Sequence, residues 1–304
     1  MIAVCIVTYN QEAFIGQAID SVRMQQCEEA FRIYIGDDAS TDGTQTVCER
    51  YAAEDKRIVY VRREKNLGLA DNTIALYRRI MEDGCEFIAM LDGDDFWTDP
   101  SKLQLQLNYI HTHPECGFVH TNGRTFSCSH KWTFGQREGV YGLDSPGFAN
   151  CTVLFRTELL SAELLNNIQA QHFPWLDYPL YGVFYQHTKW AYLPQKTAVW
   201  RDHLSVSQPL TPEAILRLKT EKCRMWKWLD TLYPGKVGYS EKEAQDFLFR
   251  TKLNLTYQFD DFSFVSPELL HAYKPRSWKQ KLKLIGLKCP FIYAFYKKLH
   301  KKFA

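Results

Sequence analysis

Apolar residues come in two alternating rhythms over the first 120 positions. Residues 2–8 are an almost continuous apolar run of strand length, the pattern of a sheet covered on both faces. Phe14, Ile15, Ala18, Ile19 and Val22 then recur at helical spacing. The same alternation predicts strands at 31–35, 58–61, 85–91 and 117–121. It predicts helices running to about Tyr51, over 70–81, and along Leu103, Leu107 and Ile110. Ser40-Thr41-Asp42-Gly43 and Thr98-Asp99-Pro100 offer capping side chains and an early proline at helix starts. Strands separated by helices of this length imply βαβ units and a mostly parallel sheet.

The rhythm changes near residue 122. Residues 122–150 are rich in Gly, Ser and aromatics and have no clear period. Residues 151–155 form another apolar strand, 176–184 read as a helix, and 190–193 and 197–200 read as short strands. From Pro212 onward the pattern is helical, over about 213–232, 241–259 and 278–302. This predicts an α/β domain over 1–208, split into 1–120 and 121–208, followed by a helical extension over 209–304.

Ligands of open parallel sheets bind outside the carboxyl ends of the strands. The polar residues there are Thr8-Tyr9-Asn10, Asp37-Asp38, Asn66 and Asp92-Gly93-Asp94-Asp95. Three carboxylates in four residues repel one another unless a cation lies between them, and hard oxygen ligands suit Mg²⁺ or Mn²⁺. The plainer alternative is an acidic turn that caps the next helix, a role open to Asp95 and Asp99. A carboxylate at the end of the second strand is also placed to accept the N3–H of a uracil ring. Neither G-x-G-x-x-G after the first strand nor G-x-x-x-x-G-K-[ST] occurs, which disfavours dinucleotide dehydrogenases and P-loop enzymes.

Composition adds limits rather than detail. Of the 304 residues 45% are apolar and 24% charged, as in ordinary globular proteins. No run of about 18 apolar residues occurs, and the first residues lack a basic leader, so a cytoplasmic placement is expected. Nine cysteines without a CxxC pair argue against a zinc site or a disulfide framework. The net charge of +2 conceals an asymmetry. Ten Lys and Arg lie between Lys274 and Lys302, with no Asp or Glu among them. Removing those ten from the 37 basic residues leaves 27 against 35 acidic ones. Trp278, Leu282, Ile285, Phe291, Ile292, Phe295 and Leu299 interleave with these lysines. We read residues 275–304 as a helix lying on a membrane surface rather than a solvated basic helix. An acidic body without a nucleic-acid motif disfavours polynucleotide binding.

Four segments together resemble the family 2 glycosyltransferases of GT-A fold, which are inverting and use nucleotide sugars. They are Val7-Thr8-Tyr9-Asn10, the run from Asp37-Asp38 to Gly43-Thr44, Asn66-Leu67-Gly68-Leu69-Ala70, and Leu91-Asp92-Gly93-Asp94-Asp95. The resemblance implies a Rossmann-like sheet flanked by helices and a UDP-sugar donor, with a dTDP-sugar still open. Thr8, Tyr9, Asn10, Asp38, Asn66, Gly68, Asp92, Gly93 and Asp94 would bind the nucleotide sugar. Asp94, with His203, would hold Mg²⁺ or Mn²⁺. Trp175-Leu176-Asp177-Tyr178 looks like the acceptor-side catalytic element, making Asp177 the general base. Arg201 and His203 lie in a segment similar to the family's Tyr-Arg-x-His-x-x-Ser. Trp97, Trp175 and Arg201 are expected against sugar or acceptor. The implied acceptor is a saccharide or a lipid-linked saccharide of bacterial surface polysaccharide or lipopolysaccharide, met at the inner face of the membrane. The rival readings are a nucleotidyltransferase and a degenerate GT-A fold that binds sugar nucleotides or serves assembly.

Overall fold

The computed structural model describes residues 1–125, 148–201, 211–259 and 262–265. In chain order the elements are β1 (Ile2–Thr8), α1 (Glu12–Arg23), β2 (Phe31–Asp37), α2 (Thr44–Glu54), β3 (Ile58–Arg62), α3 (Leu69–Glu82), β4 (Phe87–Asp92), β5 (Phe96–Trp97) and α4 (Lys102–Thr112). There follow β6 (Cys116–Thr125), β7 (Val153–Arg156), α5 (Ala162–Ala170), α6 (Asp177–His187), β8 (Lys189–Trp200), α7 (Pro212–Leu232) and α8 (Glu241–Phe259).

One eight-stranded sheet has the order β3-β2-β1-β4-β7-β6-β8-β5. β3, β2, β1 and β4 run parallel. β7 runs antiparallel to both β4 and β6. Every residue of β1 is buried, as a central strand covered on both faces requires. α1 turns Ile15, Ala18, Ile19 and Val22 inward, and α4 turns Leu103, Leu107 and Ile110 inward. These residues share one core cluster with Ile2, Val4, Ile6 and Leu91.

The expected helices and strands of the first 120 residues are present within a few residues at each end. α5 is an addition: a short helix whose N-cap Ser161 accepts from the Leu164 amide at 3.0 Å. The two strands expected at 190–193 and 197–200 are one strand, β8. Its pairing with β6 shifts register between Leu193, opposite Thr121, and Lys196, opposite Asn122. Pro194 sits in that irregularity, where its missing N–H takes no ladder bond from the sheet.

The chain divides into two units, residues 1–207 with 224–238, and residues 208–223 with 239–304. In the first unit Trp226 Nε1 donates to the Val237 carbonyl at 3.0 Å, and the Arg224 guanidinium lies over the Phe173 ring. In the second, the Lys219 ammonium lies over the Phe247 ring. The expected helix at 278–302 lies outside the described residues. Among the described residues, no helix is long and apolar enough to cross a membrane.

Candidate active site

Sheet register brings the polar strand ends into one row. Thr8 faces Asp37 across β1 and β2, and Val7 faces Asp92 across β1 and β4. The row continues past the strands: Asp38 N donates to Thr8 O at 3.0 Å, and Gly93 N donates to Val7 O at 2.9 Å. Gly93 is there because nothing larger fits. A Cβ on it would collide with the Gln11 side chain and come within 2.9 Å of the Thr8 side chain. Those two side chains are themselves joined, Thr8 Oγ1 donating to Gln11 Oε1 at 2.8 Å.

The two adjacent aspartates after β2 have separate tasks. Asp37 is fully buried and accepts from Ser40 N, Ser40 Oγ and Tyr60 Oη at 2.9, 2.6 and 2.7 Å. Asp38 accepts from the backbone amides of Leu67 and Gly68 at 2.7 and 2.8 Å, which fixes the loop ahead of α3. Gly68 holds φ at +86°, a conformation that favours glycine. Asn66 braces the same loop, its amide donating to Asp38 O at 3.3 Å and its oxygen accepting from Gly68 N at 3.1 Å. Tyr9, Leu67 and Leu69 remain exposed beside it.

At the end of β4 the carboxylates of Asp92, Asp94 and Asp95 act on one another, and that of Asp177 acts on Asp92. Burial pushes the Asp92 carboxyl up to about 7, and the charges of Asp94 and Asp177 push in the same direction. The amide of Asn150 opposes them, donating to the two Asp92 oxygens at 3.2 and 3.4 Å. Asp177 opens α6 and is half-buried. Its charge also reaches the fully buried hydroxyls of Tyr77 and Tyr181. Asp95 is buried, and burial, then Asp92 and Asp94, raise it well above the usual carboxylate range. Repelling carboxylates of this kind are the hard oxygen donors that Mg²⁺ or Mn²⁺ prefers. Among the described residues no three His, Cys, Asp or Glu side chains gather as a protein-only metal cage. Asp92 and Asp94 are carboxylates of the kind that could hold a cation together with phosphate oxygens and water.

Residues 3–169, more than half of the chain, match the model of glycosyl transferase family 2. The chain belongs to this family. Among relatives, "Putative teichuronic acid biosynthesis glycosyltransferase TuaG" of Bacillus subtilis is 31% identical over 121 residues, 40% of this chain and 46% of TuaG. The Mycobacterium tuberculosis protein Rv1520 is 36% identical over 111 residues, 36% of this chain and 31% of its own. The chain thus covers less than half of either relative. Staphylococcus aureus TarS, solved with UDP-GlcNAc, superposes with a TM-score of 0.57 at 17% identity, over 94% of this chain and 78% of that structure. A mannosyltransferase of Pyrobaculum calidifontis, solved with GDP-Man and Mn²⁺, gives 0.54 at 16% identity, over 93% and 84%. The fold is the GT-A-type arrangement of these neighbours: a mostly parallel sheet flanked by helices.

Several expected site residues have other tasks in this family member. Trp97 is a correction. It is 1% exposed, donates from Nε1 to Cys151 O at 2.8 Å, and carries the Lys102 ammonium 4.2 Å above its ring. Pairing of β5 with β8 turns Trp97 into the core and leaves Phe96 half-buried, so Trp97 offers no face to a sugar. Asp95 is no helix cap either, since Oδ1 accepts from Arg201 N at 2.8 Å. Asp99 serves the helix start, accepting from Ser101 N and Oγ at 2.9 and 2.6 Å. Asn10, with φ at +52°, holds Thr41 N at 2.8 Å through its side-chain oxygen. Arg201 lies between the Phe14 and Phe96 rings and donates to Asp94 O and Gln17 Oε1. That makes it a brace of the Asp94-Asp95 turn. Trp175 is half-buried just ahead of α6. His203 and residues 275–304 lie outside the described residues. Asn150 is the site residue that the sequence reading missed.

Proposed function

We propose that this chain is an inverting glycosyltransferase that moves a sugar from a UDP-linked donor to a saccharide or lipid-linked acceptor in assembly of a bacterial surface polysaccharide. The reading rests on one observation: Asp92 at the end of β4, two residues before Asp94, is joined through Asn150 to Tyr181 of α6, the helix that Asp177 opens. Asp92 and Asp94 sit on the parallel half of the sheet, beside the row of Thr8, Asp38 and Gly68. Asp177 comes from the other half. Donor below one carboxylate pair and acceptor below a separate base is the division an inverting displacement needs. UDP as carrier is favoured by the donor in the TarS complex, and a polysaccharide product by the name of TuaG.

Asp177 takes the proton of the acceptor hydroxyl while that oxygen attacks C1 opposite the diphosphate. The C1–O bond to the diphosphate breaks, and UDP departs with the electron pair. Asp92 and Asp94 would hold Mg²⁺ or Mn²⁺, which when bound supplies positive charge to the leaving diphosphate. The protein would work at the cytoplasmic face of a membrane.

The test is Asp177→Asn, nearly isosteric and unable to take a proton at neutral pH. UDP release from UDP-sugars with saccharide acceptors should fall roughly 10²–10⁴-fold. UDP affinity, measured by calorimetry with Mn²⁺, should stay within twofold. Transfer by the variant within a few-fold of wild type overturns the role of Asp177. Full activity in excess EDTA overturns the metal-assisted part.

A further inference from the structure

Asn150 opens the short turn Asn150–Thr152 that leads into β7. Because β7 runs antiparallel to β4, its beginning lies beside the end of β4. That places the Asn150 amide against both oxygens of Asp92, at 3.2 and 3.4 Å. A side-chain amide has a donating and an accepting end, and a half-turn about its last bond exchanges them. Here the exchange is blocked. An ionised Asp92 only accepts, so the NH₂ group faces it, and Tyr181 Oη donates at 2.6 Å to the Oδ1 on the other side and holds it there. Tyr181 is itself fixed. It is 1% exposed, with the Phe118 ring edge-on at 5.0 Å and the Phe184 ring at 6.1 Å. It stands four residues after Asp177 on α6, hence on the same helix face.

We propose that Tyr181 and Asn150 form a positioning pair for the donor site, with Tyr181 locking the Asn150 amide and the amide fixing the Asp92 carboxylate. The pair ties the donor carboxylate to the helix that carries Asp177, so the two reacting partners are held in one frame. Both residues act through the Asp92 carboxylate in this proposal. The inference rests on the glycosyltransferase reading above.

A double-mutant cycle on UDP binding in Mn²⁺ tests it, with Asn150→Ala, Tyr181→Phe and the pair combined. Asn150→Ala should weaken UDP binding about tenfold, the scale of a hydrogen bond to a charged group. Tyr181→Phe keeps the packed ring and removes one oxygen, so it should fold as wild type and weaken UDP binding roughly threefold by freeing the amide to turn. The double variant should bind as Asn150→Ala does, because Tyr181 acts only through Asn150. With a UDP-sugar, the donor KM should rise in step while kcat at saturating donor changes less. A structural role alone would lower the Tm of each variant and leave the UDP affinity of the folded protein untouched. Affinity within twofold of wild type for Asn150→Ala, or independent additive losses in the double variant, overturns the inference alone. A wild-type protein that binds no UDP with Mn²⁺ overturns the functional reading and this inference with it.

Discussion

Lys102 is fully buried, with its ammonium 4.2 Å above the Trp97 ring and 2.6 Å from Gln106 Oε1. The ring face and the amide oxygen favour the charged form, yet burial outweighs them and pushes the group down to about 7. In the unfolded chain the same lysine titrates near its ordinary value of about 10.4. Between those values the unfolded state holds the extra proton, so this lysine makes stability rise with pH from about 7 to about 10. Below 7 both states are protonated and the cost is constant. Lys102→Met keeps the stem volume and removes the titration. Its stability relative to wild type should be highest at or below pH 7 and decline steadily toward pH 10, read by denaturant melts across that range. A difference that does not change with pH would show that Lys102 stays charged in the fold. Nothing in the sequence marks this residue. A lysine at the second position after Pro100 reads as a solvated helix start, and only packing against Trp97 buries it.

Arg201, the residue that follows β8, ties the β8–β5 edge of the sheet to α1 and to the turn after β4. β8 pairs with β5 at Val199 and Ala198, and the next residue but one places a guanidinium between Phe14 of α1 and Phe96 of β5. Its forked head bonds the Asp94 carbonyl, and its backbone amide bonds Asp95. The turn bearing Asp94 is therefore held from behind by an element more than 100 residues away in sequence. Arg201→Met retains the apolar stem between the rings and removes the fork. UDP affinity in Mn²⁺ should fall about tenfold by calorimetry, with Tm lower by a few degrees. Unchanged affinity would mean that the turn holds its own shape. At this scale the sequence was a good guide wherever an element is periodic and its neighbours in sequence are its neighbours in space. β1, α1, β2, α2, β3 and α3 follow that rule. It failed at α5, a helix of only nine residues, and at β8, where the Pro194 break in the pattern is a bulge and not a strand end.

The charge of the whole chain is uneven, with ten Lys and Arg and no acid between Lys274 and Lys302. Each basic side chain near an anionic lipid surface contributes about 1 kcal/mol, and the contribution falls with salt. Removing residues 275–304 should reduce co-sedimentation with phosphatidylglycerol vesicles at low salt and leave UDP binding intact. Equal co-sedimentation of the shortened and full chains would show that these residues do not seek a membrane. 

The sequence by itself determined the βαβ rhythm of the first 120 residues and the row of Thr8, Asp38, Asp92 and Asp94 at the strand ends. Both are local properties: a fully buried strand reads as an apolar run, and the chain must turn polar where it leaves the sheet. It also singled out Asp177 through the family resemblance. Only the tertiary structure decided what stands beside these residues. An apolar run buried on both faces carries no mark of its direction, so nothing in 151–155 says that β7 runs against β4. A search confined to residues just past each strand therefore misses Asn150, which lies just before one. In β5 two residues are too few for alternation to reveal which side chain faces inward, and long-range pairing with β8 turned Trp97 into the core. Strand direction and side are fixed by hydrogen bonds between segments far apart in the chain, and that is information no local pattern holds.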